Sequence, residues 1–148
     1  MSPSVVVSLP AERRERRMGT WIRQRVYGIA GAECVDRASD ALARWEGGWS
    51  VFREDSVIRQ LARAAGDPPI AIDGETAALL RQAKQLTQLT GGALDVTAGP
   101  IVALWREAAR RQHRPSLDEI EAARALVDAE AIELSAGPRC RLARPGQQ

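Results

Sequence analysis

The chain has 148 residues, enough for one domain whose hydrophobic core needs neither disulfides nor metals. It is 45% hydrophobic and 27% charged, values typical of a soluble globular protein, and its net charge of +2 does not indicate a polyanion-binding protein. No apolar run approaches the roughly 20 residues of a membrane span, and the charges near the N-terminus follow its short apolar piece. We therefore predict a cytoplasmic protein without a signal peptide.

The first predicted element is a strand that follows a charged N-terminal segment. Residues 1–17 predict a flexible leader, in which the Arg13–Arg17 cluster is solvated. That cluster is also compatible with contact to nucleic acid or anionic lipid, but no aromatic residue is interleaved with its arginines. Residues 18–27 then alternate polar and apolar side chains, which predicts a half-buried strand.

The middle of the chain predicts three helices and two short extended pieces. An amphipathic helix carries Val35, Ala38, Leu42 and Trp45 on one face, and Gly47-Gly48 is expected to end it. A short extended piece over 49–52 precedes a helix that opens at Asp55-Ser56. Residues 70–72 predict a brief strand. Asp73 is a plausible N-cap for a helix that reaches about Leu89, with its buried face at the positions Leu79, Ala83, Leu86 and Thr90.

The last third predicts two helices and a hairpin. A helix begins at Pro100 and is expected to bury Ile101, Leu104, Trp105 and Ala108, and Ser116 to Glu119 form a capping-box pattern for another helix with Leu117 inward. Residues 131–134 and 139–143 predict a terminal hairpin. The fold class is α+β, because strands and helices do not alternate regularly.

Neither cysteine nor histidine spacing predicts a metal site. Cys34 lies on a helical apolar face and is expected in the core, and a disulfide between Cys34 and Cys140 stays open. The single histidine, His113, is expected in an exposed loop. Zinc sites and histidine-based triads are therefore excluded as the basis of function.

The glycine-rich segment 90–100 is the strongest candidate for a binding element. Gly91 and Gly92 allow positive φ and close approach of a ligand, and Asp95 follows in a predicted β-like run over 93–97. The spacing alone is equally compatible with a purely structural turn. The chain has no Gly-x-Gly-x-x-Gly or Walker loop, which disfavours the standard dinucleotide and P-loop folds.

Four short segments in fixed order resemble the N-terminal half of the ApbE family, the FAD:protein FMN transferases. They are Met18-Gly19-Thr20, residues 49–56, residues 90–97, and residues 99–101 with Leu104-Trp105. The resemblance implies an incomplete ApbE-like, T-fold-related domain over 18–148, with short antiparallel strands packed with amphipathic helices.

The resemblance implies a reaction and a set of ligand-binding residues. Members of the family use Mg²⁺ to split FAD at its pyrophosphate, and they join FMN to a threonine of a target flavoprotein. The matching positions for FAD are Met18, Phe52, Ala93, Leu94 and Asp95; no catalytic residue is identified. Met18 and Phe52 would stack on the flat nucleotide, and the Asp95 carboxylate would accept hydrogen bonds from it. The alternatives are core packing for Met18 and Phe52, and a helix cap or turn-binding role for Asp95.

Departures from the family pattern limit the expected activity. Ala62 stands where the family has asparagine, Leu94 replaces phenylalanine, and Phe52 lacks the usual tyrosine hydroxyl. The Mg²⁺ ligands are expected outside this chain, which would leave it inactive alone. Two other interpretations are a non-catalytic flavin- or adenine-nucleotide-binding module and a structural protein. The expected partners are FAD, a target flavoprotein and a second copy paired through an open sheet edge, but not nucleic acid.

Overall fold

The computed structural model describes residues 9–148, which divide into one compact unit that ends at Ser56 and another that begins at Val57. The first unit contains strand β1 (Ala11–Arg17), strand β2 (Thr20–Val26) and helix α1 (Gly31–Trp49). The second unit contains the remaining helices and a small antiparallel sheet. The predicted α+β class, with short antiparallel strands and amphipathic helices, is confirmed.

The first unit begins with an antiparallel hairpin. β1 and β2 pair from Ala11 opposite Val26 to Arg17 opposite Thr20. Met18 and Gly19 make the two-residue turn with φ of 50° and 74°, and two positive φ values are what a type I′ hairpin turn requires. The expectation of a flexible leader is wrong for residues 11–17, because alternate side chains of β1 face α1. Residues 1–8 of that leader lie outside the described part of the chain.

Helix α1 packs on the inner face of this hairpin and is longer than predicted. Its buried stripe is Gly31, Val35 and Ser39, at steps of four. Cys34 is exposed, so its expected place in the core is wrong, and Ala38 is also exposed. Gly47-Gly48 does not end α1, because neither glycine takes the positive φ that stops a helix. Residues 49–52 do not form the predicted extended piece: Trp49 remains helical, Ser50 at the C-cap has extended φ and ψ, and residues 51 and 52 form a bend.

The second unit is built on a three-stranded antiparallel sheet in the order β3-β5-β4. Its elements are α2 (Val57–Arg63), β3 (Ile70–Ala71), α3 (Gly74–Leu89), α4 (Gly99–Arg110), α5 (Leu117–Arg124), a 3-10 turn (Ala129–Ala131), β4 (Ile132–Leu134) and β5 (Arg139–Leu142). The predicted terminal hairpin is confirmed as β4 and β5. The core consists of Leu61, Ile72, Ala77, Leu80, Ile132, Cys140 and Leu142.

Helix starts in the second unit were predicted better than buried faces. The Asp73 cap, the Ser116–Glu119 capping box and the first-turn Pro100 are all confirmed. The buried stripe of α3 is instead Thr76, Ala77, Leu80 and Ala83, and Leu86 is 47% exposed. Leu117 and Trp105 are exposed as well, contrary to expectation.

Both cysteines are free thiols in the structure. Burial raises the pKa of the Cys140 thiol to about 11, so it stays protonated at neutral pH. His113 is exposed, as predicted. Over residues 9–148, no helix is both long and apolar enough to cross a membrane.

The Asp73 cap makes a specific pH dependence testable. Its carboxylate accepts hydrogen bonds from the Thr76 backbone N–H and hydroxyl, both at 2.7 Å, and these bonds lower the pKa of Asp73 below 3.8. A carboxyl whose pKa is lower in the folded state than in the unfolded state stabilises the folded protein at any pH above its unfolded-state pKa. This stabilisation is lost as the pH falls through the pKa of the folded state.

We expect Asp73→Ala to lower the free energy of unfolding by about 1 kcal/mol at pH 7. The gap between the stability of this variant and that of the unsubstituted chain should narrow as pH falls below 3.8, the ordinary aspartate value, and through the lower pKa of the folded carboxyl. Urea unfolding at a series of pH values measures both effects. Asp67→Ala, in an exposed loop, is the control. A gap that stays constant through acid pH would contradict the assigned role.

Candidate functional site

An apolar groove of about 380 Å³ lies in the first unit. The hairpin turn contributes one wall, and the C-terminal end of α1 with the segment after it contributes the other. The residues that line it are Met18, Gly19, Trp45, Glu46, Trp49, Ser50, Val51 and Phe52. Two of the five predicted FAD-binding residues, Met18 and Phe52, therefore share one groove.

Met18 is held over the groove through its backbone. Its N–H donates a hydrogen bond to Glu46 Oε1 at 2.6 Å, and Arg17 Nη1 lies 3.6 Å from Glu46 Oε2. The turn conformation leaves the Met18 side chain 51% exposed. The flexible, polarisable Met18 thioether can adapt its packing to a flat ring that enters the groove.

Phe52 sits in a tight turn that follows α1. Ser50 Oγ accepts from the backbone N–H groups of Phe52 and Arg53, at 3.2 and 3.3 Å. The buried Ser56 hydroxyl donates to the Ser50 carbonyl at 2.5 Å and fastens the turn. The Phe52 side chain is 74% exposed. The alternative that Met18 and Phe52 are core residues is therefore wrong.

The aromatic wall of the groove was not predicted as a binding feature. Trp45 and Trp49 are one helical turn apart on α1, and their rings stack with centroids 5.7 Å apart and planes within 6°. The i, i+4 spacing in the sequence could have indicated this pair. The expected stop at Gly47-Gly48 puts Trp45 on the apolar helix face but Trp49 in a separate extended piece.

The turn after Phe52 carries a paired charge. Arg53 donates two hydrogen bonds to the Asp55 carboxylate, at 3.1 and 2.7 Å. This pair raises the pKa of Arg53 and lowers the pKa of Asp55. Both groups are exposed, so the pair orders the turn and contributes little to stability.

The other three predicted site residues, Ala93, Leu94 and Asp95, lie in the second unit. They belong to a series of turns between α3 and α4, so the predicted β-like run over 93–97 is wrong. Gly91 and Gly92 take φ of 59° and 83°, which agrees with the expectation of positive φ. Leu94 is 43% exposed, and no heavy atom stands within 4 Å of where a Cβ would project from either glycine.

Asp95 organises the turn that contains it. Its Oδ1 accepts from the Thr97 backbone N–H at 2.8 Å and from the Thr97 hydroxyl at 2.6 Å, and its Oδ2 accepts from the Ala129 N–H at 3.2 Å. Thr97 Oγ1 in turn accepts from the Asp128 N–H. Of the alternatives for Asp95, the turn-binding role is confirmed. A cap for α4 is wrong, because Ala98 is the N-cap residue and no side chain caps that helix.

The described residues do not form a metal site. Over residues 9–148, no group of three or more histidine, cysteine, aspartate or glutamate side chains is placed to hold a metal ion. Magnesium in phosphoryl-transfer sites is held by carboxylates and substrate phosphates. These residues therefore do not fit the Mg²⁺ that the family resemblance implies.

A model described as the ApbE family matches residues 18–148. The chain belongs to the ApbE family. The match begins at Met18, which is also the first residue that lines the groove. The predicted family membership is confirmed.

Curated relatives and solved structures carry the same family name or activity. The chain is 32% identical to the FAD:protein FMN transferase of Treponema pallidum over 129 residues, which is 84% of this chain and 36% of that protein. It is 34% identical to the Vibrio cholerae protein of the same name over 57% of this chain and 26% of that protein. The Thermotoga maritima ApbE structure matches with a TM-score of 0.83 at 24% identity, over 94% of this chain and 46% of that one. The chain thus spans less than half the length of each.

Proposed function

We propose that this chain supplies flavin-binding residues to an FAD:protein FMN transferase. The observation that carries the proposal is the apolar groove of the first unit, in which Met18 and Phe52 are exposed and face the same space. The relatives named FAD:protein FMN transferase support the reaction class. In that reaction Mg²⁺ assists the transfer of FMN from FAD to a threonine of a target flavoprotein, and AMP leaves.

The chemistry of the groove suits a flat, weakly polar ring system. Phe52 and the Trp45–Trp49 pair offer aromatic surface, and Met18 offers a polarisable sulfur. Glu46 is the one acidic side chain among the lining residues, and the Met18 N–H and Arg17 already engage its carboxylate. The groove therefore presents little charge toward a ring that lies in it.

We propose that Ala93, Leu94 and Asp95 also contact FAD, as the family resemblance implies. Asp95 Oδ1 already accepts two hydrogen bonds within the turn, whereas Oδ2 accepts one and retains acceptor capacity toward a ligand. The internal hydrogen bonds would fix the carboxylate in one orientation, which lowers the entropy lost on binding.

A second candidate function is a flavin-binding module without catalysis. The absence of a metal-holding cluster over residues 9–148 favours it. Release of AMP from FAD by this chain alone, with Mg²⁺ and a target flavoprotein, would exclude that candidate. Self-association is also part of the proposal, because edge strands of both small sheets remain unpaired within the described residues.

The proposal predicts FAD binding that depends on Phe52. We expect FAD to bind with altered flavin fluorescence, and Phe52→Ala to weaken the affinity roughly tenfold through loss of aromatic stacking. Fluorescence titration measures both variants. Tyr27→Ala is the matched control, since Tyr27 is 66% exposed and does not line the groove. No fluorescence change up to millimolar FAD, or equal losses in both variants, would contradict the proposal.

A further inference from the structure

The hairpin sorts the arginines of β1 onto two faces. Arg13 and Arg17 point toward α1, where Arg13 Nη2 lies 2.6 Å from Asp36 Oδ1 and Arg17 lies 2.9 Å from Glu15 and 3.6 Å from Glu46. Carboxylates therefore balance the inner arginines. The Arg13–Arg17 cluster of the sequence is not one solvated run but two sets with different surroundings.

The outer face of the hairpin combines the remaining arginines of both strands. Arg14 stands opposite Arg23, and Arg16 stands opposite Trp21. We call this surface the basic ribbon face; its side chains are Glu12, Arg14, Arg16, Trp21, Arg23 and Arg25. The pairing of the two strands places the Trp21 ring among the arginines. The sequence of β1 alone does not indicate this arrangement.

The charge of the basic ribbon face is unbalanced. Glu12 alone among its six residues is acidic, and it accepts from Arg23 at 2.9 Å and from Arg25 at 2.5 Å, which lowers the pKa of Glu12. The face keeps a net charge of +3 at neutral pH. Like charges directly opposite each other on a sheet are destabilising, so the Arg14–Arg23 pair favours an anionic partner.

Aromatic residues stand at both ends of β2 on the exposed side. Trp21 is 61% exposed, with the Arg14 guanidinium 4.7 Å above its ring, and Tyr27 is 66% exposed. They lie about 20 Å apart along an extended strand. Ile29, just beyond Tyr27, is fully exposed. Arginine flanked by tryptophan and tyrosine is the composition of surfaces that lie at the lipid headgroup level.

We propose that the basic ribbon face docks on an anionic lipid membrane. Its arginines would meet headgroup phosphates, while Trp21, Tyr27 and Ile29 would enter the interfacial layer. The exposed apolar side chain of Ile29 and the rings of Trp21 and Tyr27 suit the interfacial layer of a bilayer better than the phosphates of a nucleic acid, so the membrane is favoured. This contact is at the surface and is independent of FAD binding.

Vesicle sedimentation tests the proposal directly. We expect the chain to bind phosphatidylcholine vesicles that contain phosphatidylglycerol, to ignore vesicles of phosphatidylcholine alone, and to dissociate at high salt. The double variant Arg14→Gln/Arg16→Gln should lower the partition coefficient roughly 30-fold, since each arginine contributes about fivefold near an anionic surface. Each single variant should lower it about fivefold, which keeps the test decisive where the double variant does not fold.

The matched control removes the same charge elsewhere. Arg110→Gln/Arg111→Gln alters two exposed arginines, the last residue of α4 and its C-cap, in the second unit and should leave vesicle binding within twofold. Equal losses in the two double variants would overturn the proposal, because net charge would then explain the binding. Absence of vesicle binding at low salt would also overturn the proposal. The same holds if binding to single-stranded DNA requires Arg14 and Arg16 but binding to vesicles does not.

Discussion

We expect Ile132→Ala to lower the free energy of unfolding by about 3 to 4 kcal/mol. The Ile132 side chain is 1% exposed at the start of β4, opposite Leu142 of β5, and belongs to the core that joins the sheet to α2 and α3. Truncation removes buried methyl groups and leaves a cavity that the rigid strand pair cannot close. Urea unfolding followed by circular dichroism measures the loss.

The control for this variant is the same substitution on the surface. Ile29 is fully exposed, so Ile29→Ala should change the free energy of unfolding by less than about 0.5 kcal/mol. A loss below about 1 kcal/mol for Ile132→Ala would mean that the sheet does not carry the core of the second unit.

We expect Asp95→Ala to cost about 3 kcal/mol of stability. The substitution leaves the Thr97 and Ala129 N–H groups without their acceptor, and both residues are only 2% exposed. Unsatisfied buried donors cost more than the net value of the hydrogen bonds that they made. Asp67→Ala, on an exposed loop residue, should have almost no effect. A loss as small as that of the control would contradict the observed turn network.

Thr97→Val separates the structural role of Asp95 from a role in binding. It removes the hydroxyl that bridges Asp95 and the Asp128 N–H, but it keeps the Asp95 carboxylate. The proposed contact with FAD predicts that Asp95→Ala weakens FAD affinity more than Thr97→Val does. Equal effects of the two variants in the same titration would assign Asp95 to the turn alone.

Helix starts could be predicted from the sequence because their chemistry is local. Asp73 caps α3 through Thr76, three residues away, and Ser116 pairs with Glu119 over the same distance. Pro100 in the first turn of α4 needs no tertiary partner either. Such signals are contained in four or five consecutive residues, so the fold around them does not alter them.

Helix ends and buried faces depended on tertiary contacts and were predicted less well. Gly47 and Gly48 stay helical in α1, where Trp45 and Trp49 stack across them. The buried stripe of α3 starts at Thr76 because the sheet lies on that side, although Leu79 and Leu86 fit the apolar period as well. Periodicity indicates that one face is buried, but not which of two neighbouring faces.

Only part of the candidate site could be predicted from the sequence. Met18 and Phe52 were predicted through the family resemblance, and the structure brings them to one groove. The roles of Trp45 and Glu46 required knowledge that the hairpin turn meets the end of α1. The basic ribbon face depends on strand register, since Arg16 meets Trp21 only across the hairpin.

A structure of the chain crystallised with FAD tests most directly whether the groove of the first unit holds the flavin. The account predicts electron density for the isoalloxazine ring in that groove, in contact with the Met18 sulfur and the Phe52 ring. Bound FAD whose ring lies away from Met18 and Phe52, with the groove left open, would contradict it.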